Sequence, residues 1–151
     1  MFLTASKLDI TFVVGVCAKY QAELKMSHST QVKRILEYIN STSDYGILYS
    51  HSENSMLIGY CDADWAGSVD DRISTSGGCF FLGNNLISWF SKKHNFVSLS
   101  TAEAEYIAAE NSCSQVVWMK QILKGYNVEQ NVLTLYCDNE CYQHFQKFYS
   151  T

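Results

Sequence analysis

Proline is absent from the 151 residues, although at average usage of about 5% several would be expected. Positive charge is scarce: 11 Lys and Arg stand against 15 Asp and Glu, giving a net charge of −4 and a pI of about 5.5. A nucleic-acid binder usually shows a basic surface, so any such role needs a local basic patch or metal ions to offset the acids. No run approaches the roughly 20 apolar residues of a membrane span, which excludes a membrane partner of that kind. The opening "MFLTASKLDITF" lacks a basic segment followed by a sustained apolar stretch, so no signal peptide is expected. Six cysteines are present, but none forms a Cys-x-x-Cys pair, which argues against zinc. Free buried thiols in a reducing, intracellular setting fit this usage. What is abundant is apolar surface, at 47% of residues with 14% aromatic. That suits one folded domain, or one domain with a small appendage.

Periodicity divides the chain. Asp9 is placed to cap a helix in which Ile10, Val13, Val14 and Cys17 recur at helical spacing to about Ala22. A second helix starts near His28 to Thr30, with Val32, Ile35, Leu36 and Ile39 as its apolar stripe. Two packed helices are expected here, and no chemistry. "NSTSDYG" (40–46) breaks the pattern. From Tyr45 the period becomes two. "YGILYS" and "MLIGYC" read as strands joined through "HSENS" (51–55) in a hairpin. "GGCFFLG" and "NLISWFS" read as another, turning at "NN" (84–85) with Asn in positive φ. A long helix opens with Ser100 and Glu103 spaced as a capping box and closes near Gly125 as its C-cap glycine. "NVLTLYC" (131–137) is a further strand, with a helix expected after it. The order predicts an α+β domain with a mixed sheet, in which a crossover helix leads to a parallel strand.

Two strands end in the same local text, "GYCDAD" and "LYCDNE". Asp62 and Asp138 therefore stand at strand carboxyl ends, an edge where ligands of mixed α/β sheets bind. A glutamate from the first turns of the crossover helix can join them. Glu103 and Glu105 differ by about 200° around a helix, so they cannot share a face. Glu103 is taken by the capping box, which leaves Glu105 as the preferred ligand. Such oxygen donors suit Mg²⁺ or Mn²⁺, and two such ions about 3.5–4 Å apart support phosphodiester cleavage. Spacing alone leaves a second reading open, and the commoner one: aspartates that merely begin turns. Asp64, Asp70 and Asp71 read as loop acids, with Asp70, Asp71 and Arg72 as a turn ion-pair set. Lys92, Lys93 and His94 form one basic cluster. With Trp89 beside it, the cluster is suited to a nucleic-acid backbone or a stacked base; a solvated hairpin end is the commoner meaning. The Ser-rich "SLST" has no partnered histidine at a motif spacing, which sets a serine nucleophile aside.

The strings D-A-D-W-A-G, R-x-S-T-S-G, I-S-W-x-S-K-K and S-x-x-E-A-E-Y-x-A are together specific. With them the chain resembles the ribonuclease H domain of the Pol polyprotein of copia-type retrotransposons, those of plants in particular, from about residue 2 to Asn139. The resemblance implies residues 1–44 as a helical connection left from the reverse transcriptase part, and 45–151 as an RNase H-like domain with 140–151 a divergent tail. It implies cleavage of RNA in RNA–DNA hybrids with two Mg²⁺ or Mn²⁺ ions, held by Asp62, Glu105 and Asp138. It also implies a cytoplasmic (virus-like particle) or nuclear location. The chain departs from the family in two respects. A proline of the family is replaced within Ser6–Ile10, and the text after Asn139, "ECYQHFQKFYST", replaces an expected S-A-I-x-I-S-K-N-P and lacks the fourth acid that follows it. Encoded with one choice of codons and read one register over, the tail yields M-S-A-I-N-I-S-K-N-F-I-Q, so a frameshift near codon 140 is expected. A degenerate RNase H-type enzyme with weak or no activity is the resulting expectation. A non-catalytic nucleic-acid-binding module and an unselected transposon relic are the alternatives.

Overall fold

The computed structural model describes residues 2–51 and 54–137. They fall into two compact units that divide between Leu48 and Tyr49. Asp138 and the tail 140–151, with the helix expected there, lie outside the described residues.

The first unit is helical: α1 (Phe2–Ser6), a 3₁₀ turn (Leu8–Ile10), α2 (Thr11–Lys19) and α3 (Met26–Ser41). Asp9 does not cap α2, whose N-cap is Ile10 with no side-chain bond. The Asp9 carboxylate instead accepts from the Tyr38 hydroxyl on α3. Lys7 Nζ donates to the Thr42 carbonyl at 3.0 Å, tying the start of the unit to the end of α3. The expected apolar stripe packs only loosely, with Val32 and Leu36 both exposed.

The second unit is α+β. Strands β1 (Leu57–Asp64), β2 (Thr75–Leu82) and β3 (Asn85–Lys93) run antiparallel, and the 25-residue α4 (Thr101–Gly125) crosses over to β4 (Thr134–Cys137). The sheet order is β3-β2-β1-β4, with β4 parallel to β1. The mixed sheet and the parallel strand after a crossover helix are as the sequence predicts.

Three local readings need correction. "YGILYS" is not a strand: Tyr45, Leu48 and Tyr49 are exposed, and both backbone groups of Ser50 bind the side-chain amide of Asn85, each at 2.8 Å. A side chain thus does for one residue what a neighbouring strand would do for six. The turn between β2 and β3 places positive φ at Gly83 (59°), not at Asn84, because glycine adopts it without steric cost. Gly125 is the last helical residue of α4, and Asn127 takes the left-handed position (φ 59°). Val128 N–H bonds to Leu123 O and Asn127 N–H to Lys124 O, the pair of bonds that closes a Schellman motif.

The core lies between α4 and one sheet face: Leu57, Phe80, Val116 and Met119, with Phe90, Leu123, Leu133 and Leu135 against them. Ala104, Ala108, Ala109 and Ser112 are buried on α4, and small side chains there let the helix approach closely. Gly59 sits beneath. A Cβ at that position would stand 2.8 Å from Leu135 Cδ1 and 3.1 Å from both Phe80 and Val116. At the start of β1, the buried Gln130 accepts from Leu57 N–H and donates to the Ser55 carbonyl, closing the polar end of the core.

Candidate metal centre

The carboxyl end of β1 meets the first turns of α4. Ser100 Oγ caps the helix by accepting from Glu103 N–H at 3.2 Å. The Glu103 carboxylate reaches back to Leu99 N–H, one residue before the N-cap. Glu103 is therefore occupied in holding the helix start. Glu105 points to the opposite side, onto the face that carries Ala108, Ala109 and Ser112, and its Oε1 accepts from Ala63 N–H at 3.2 Å. The same N–H is met by Asp62 Oδ1 at 2.8 Å. Two carboxylates thus converge on one amide at the end of β1. Asp62 is exposed, Glu105 is half-buried, and the Oε2 of Glu105 is sealed from solvent.

These donors fit a hard cation. Both are carboxylates, each has an oxygen within about 3 Å of one nitrogen, and one of the two faces water, through which an ion must enter. The pair is two of the three predicted ligands; the third, Asp138, lies outside the described residues, directly after Cys137 at the end of β4. Cys137 pairs in register with Cys61, so β4 ends beside Cys61 while β1 runs on to Asp64. Among the described residues alone, no three His, Cys, Asp or Glu side chains form a metal-holding group.

Asp64, read as a loop acid, is instead the last residue of β1, whereas Asp70 and Asp71 lie in the turn region that follows. Asp64 folds its carboxylate under the Gly67 backbone, where a Cβ would meet Oδ2 at 1.8 Å. Asp71 accepts from Ile73 N–H and pairs with Lys93 Nζ at 2.6 Å, a cation supplied by β3.

The basic cluster does not hold together. Strand residues alternate between faces. Phe90 packs on Phe80 on the α4 side, and Lys92 follows it there, 3.4 Å from Asn111 Oδ1 on α4. Trp89 and Lys93 lie on the other face. His94 is not part of a basic surface at all. It is 7% exposed, its Nε2 lies 2.6 Å from Ser76 Oγ, and burial followed by the charge of Lys92 holds its pKa below the usual histidine value.

Sequence reasoning missed Cys61 and Cys137. Their Sγ atoms lie 2.6 Å apart beside the carboxylates, and the signal was the repeated Tyr-Cys-Asp text, read only for its aspartates.

Among the described residues no helix is long and apolar enough to cross a membrane. No family model matches the chain, and no solved structure matches it. Curated proteins do. The chain is 38% identical over 117 residues to the secreted RxLR effector protein 161 of Plasmopara viticola, covering 78% of this chain and 82% of that one. It is 36% identical over 138 residues to the retrovirus-related Pol polyprotein from transposon TNT 1-94 of Nicotiana tabacum. It is 34% identical over 139 residues to that from transposon RE2 of Arabidopsis thaliana. Each of these matches covers 91% of this chain and 10% of the polyprotein, so the chain spans about a tenth of the length of these two relatives.

Proposed function

Because this chain belongs to the family that includes a segment of the retrovirus-related Pol polyproteins of plant transposons, we propose that residues 45–151 are an RNase H-like domain directed at RNA–DNA hybrids. The observation that carries the reading is the convergence of Asp62 and Glu105 on the Ala63 amide. Asp62, Glu105 and Asp138 would hold Mg²⁺ or Mn²⁺. Such an ion, when bound, supplies charge stabilisation and an activated water for phosphodiester hydrolysis. The chain's own residues set the geometry. Ser100 and Glu103 fix the start of α4, the alanine face brings the helix down on β1, and Glu105 is thereby held at the strand end. Asp62 offers the solvent-facing oxygen. Three of the four acids that the family resemblance calls for are present, so these 151 residues are expected to cut weakly or not at all.

The alternative of a binding module resting on Lys92, Lys93 and Trp89 is weakened by their division between two sheet faces. The likeness to a secreted RxLR effector brings no such motif with it, since the two arginines, Arg34 and Arg72, are too far apart for Arg-x-Leu-Arg.

The test is a labelled RNA–DNA hybrid incubated with the purified chain and Mg²⁺ or Mn²⁺, beside a direct Mn²⁺-binding titration. Weak Mn²⁺ binding that is lost in Asp62→Asn and in Glu105→Gln supports the reading, whatever the turnover. Binding or cleavage indifferent to both substitutions overturns it.

A further inference from the structure

Cys61 and Cys137 face each other in the parallel pairing of β1 and β4, with their sulfurs 2.6 Å apart. That separation is too short for two thiolates sharing a metal: at a Zn–S bond of about 2.3 Å, a tetrahedral ion holds its sulfurs about 3.8 Å apart. It is close to what a covalent S–S bond of about 2.05 Å requires. Neighbouring strands, about 4.8 Å apart, also fall within the Cα separations of about 4.4–6.8 Å that disulfides span. The two sulfurs differ in setting. Cys61 is 6% exposed, while Cys137 is partly open to solvent. Cys137 is thus the sulfur that an oxidant in solution reaches first, and its thiolate form is the nucleophile in sulfur redox chemistry.

We propose that Cys61 and Cys137 are a reversible thiol–disulfide pair, oxidised by hydrogen peroxide. The Cys137 thiolate attacks one peroxide oxygen; the O–O bond breaks, and the departing hydroxide takes up a proton to leave as water. Cys137 is then a sulfenic acid. The Cys61 sulfur attacks the Cys137 sulfur, the S–S bond forms as the S–O bond breaks, and the Cys61 proton leaves with the hydroxyl as a second water. Two thiols and one peroxide give one disulfide and two waters, and a thiol reductant reverses the change by exchange. Each cysteine directly precedes an aspartate in the sequence, Asp62 or Asp138, and the bond would tie β4 to β1 at the position before Asp62. The inference rests on sulfur geometry and is independent of the nuclease reading.

The experiment treats the reduced full chain with a small excess of hydrogen peroxide, then blocks remaining thiols with an alkylating agent in denaturant and counts them by mass. The expected result is loss of two of the six thiols, a monomer lighter by two hydrogens, a Cys61–Cys137 linked peptide after digestion, and recovery of all six thiols with dithiothreitol. Cys61→Ser should form no internal disulfide and should leave a Cys137 sulfenic acid that dimedone traps. A disulfide through Cys113 or Cys79, an intermolecular crosslink as the main product, or retention of all six thiols overturns the proposal.

Discussion

At the scale of single residues, the two glutamates at the start of α4 show how two positions in a helix separate structure from chemistry. Glu103 holds Leu99 N–H and so belongs to the cap; Glu105 holds Ala63 N–H and so belongs to the sheet edge. Glu103→Ala should cost about 1 kcal/mol in urea unfolding, the usual worth of a cap, and leave Mn²⁺ binding unchanged. Glu105→Gln should do the reverse. His94 gives a pH signature. Its folded pKa is depressed, whereas the unfolded chain takes up a proton near pH 6.5. Its stabilisation is therefore complete above about pH 6.5 and is lost as pH falls through the folded value. The urea midpoint should drop between about pH 7.5 and pH 5.5, and the drop should shrink in His94→Gln. The sequence made the Glu103 and Glu105 distinction legible because helix angles follow from numbering alone. It did not reveal His94 as a core residue. A run of Lys-Lys-His reads as charge until the alternation of β3 and the path of the following loop are known.

At the scale of elements, the start of α4 was legible from its capping Ser, whereas its stop was displaced from Gly125 to Asn127. The reason is physical: a C-cap residue is chosen by where the chain must turn, and Asn tolerates positive φ well enough to serve. Asn127→Gly should raise stability by a few tenths of a kcal/mol or more, and Asn127→Ala should lower it, both read from thermal unfolding. The closeness of α4 to β1 makes a sharper demand. Gly59→Ala pushes a methyl into Leu135, Phe80 and Val116 and should cost about 1–3 kcal/mol, the range for overpacking a filled core. The false strand at 45–50 arose because alternating apolar residues state a preference for extended backbone but not for a partner. Here Asn85 satisfies Ser50, and the flanking aromatics stay exposed.

At the scale of the whole molecule, every residue of the core cluster lies between Leu57 and Leu135, within the second unit. Residues 49–151 expressed alone should therefore keep the far-ultraviolet circular dichroism of a mixed α+β domain and unfold cooperatively; loss of both would show that the core needs residues 1–48. The topology also sets an order of events. The β1, β2 and β3 pairings are local hairpin-like contacts, whereas β4 joins β1 across a separation of 76 residues from Cys61 to Cys137. Local contacts close before distant ones because less chain entropy is lost in making them. In pulse-labelled hydrogen exchange, amides of β2 and β3 should gain protection before those of β4. The parallel strand β4 would then be the last to join, so an emerging chain holds a three-stranded sheet well before the two cysteines that face each other across β1 and β4 can meet.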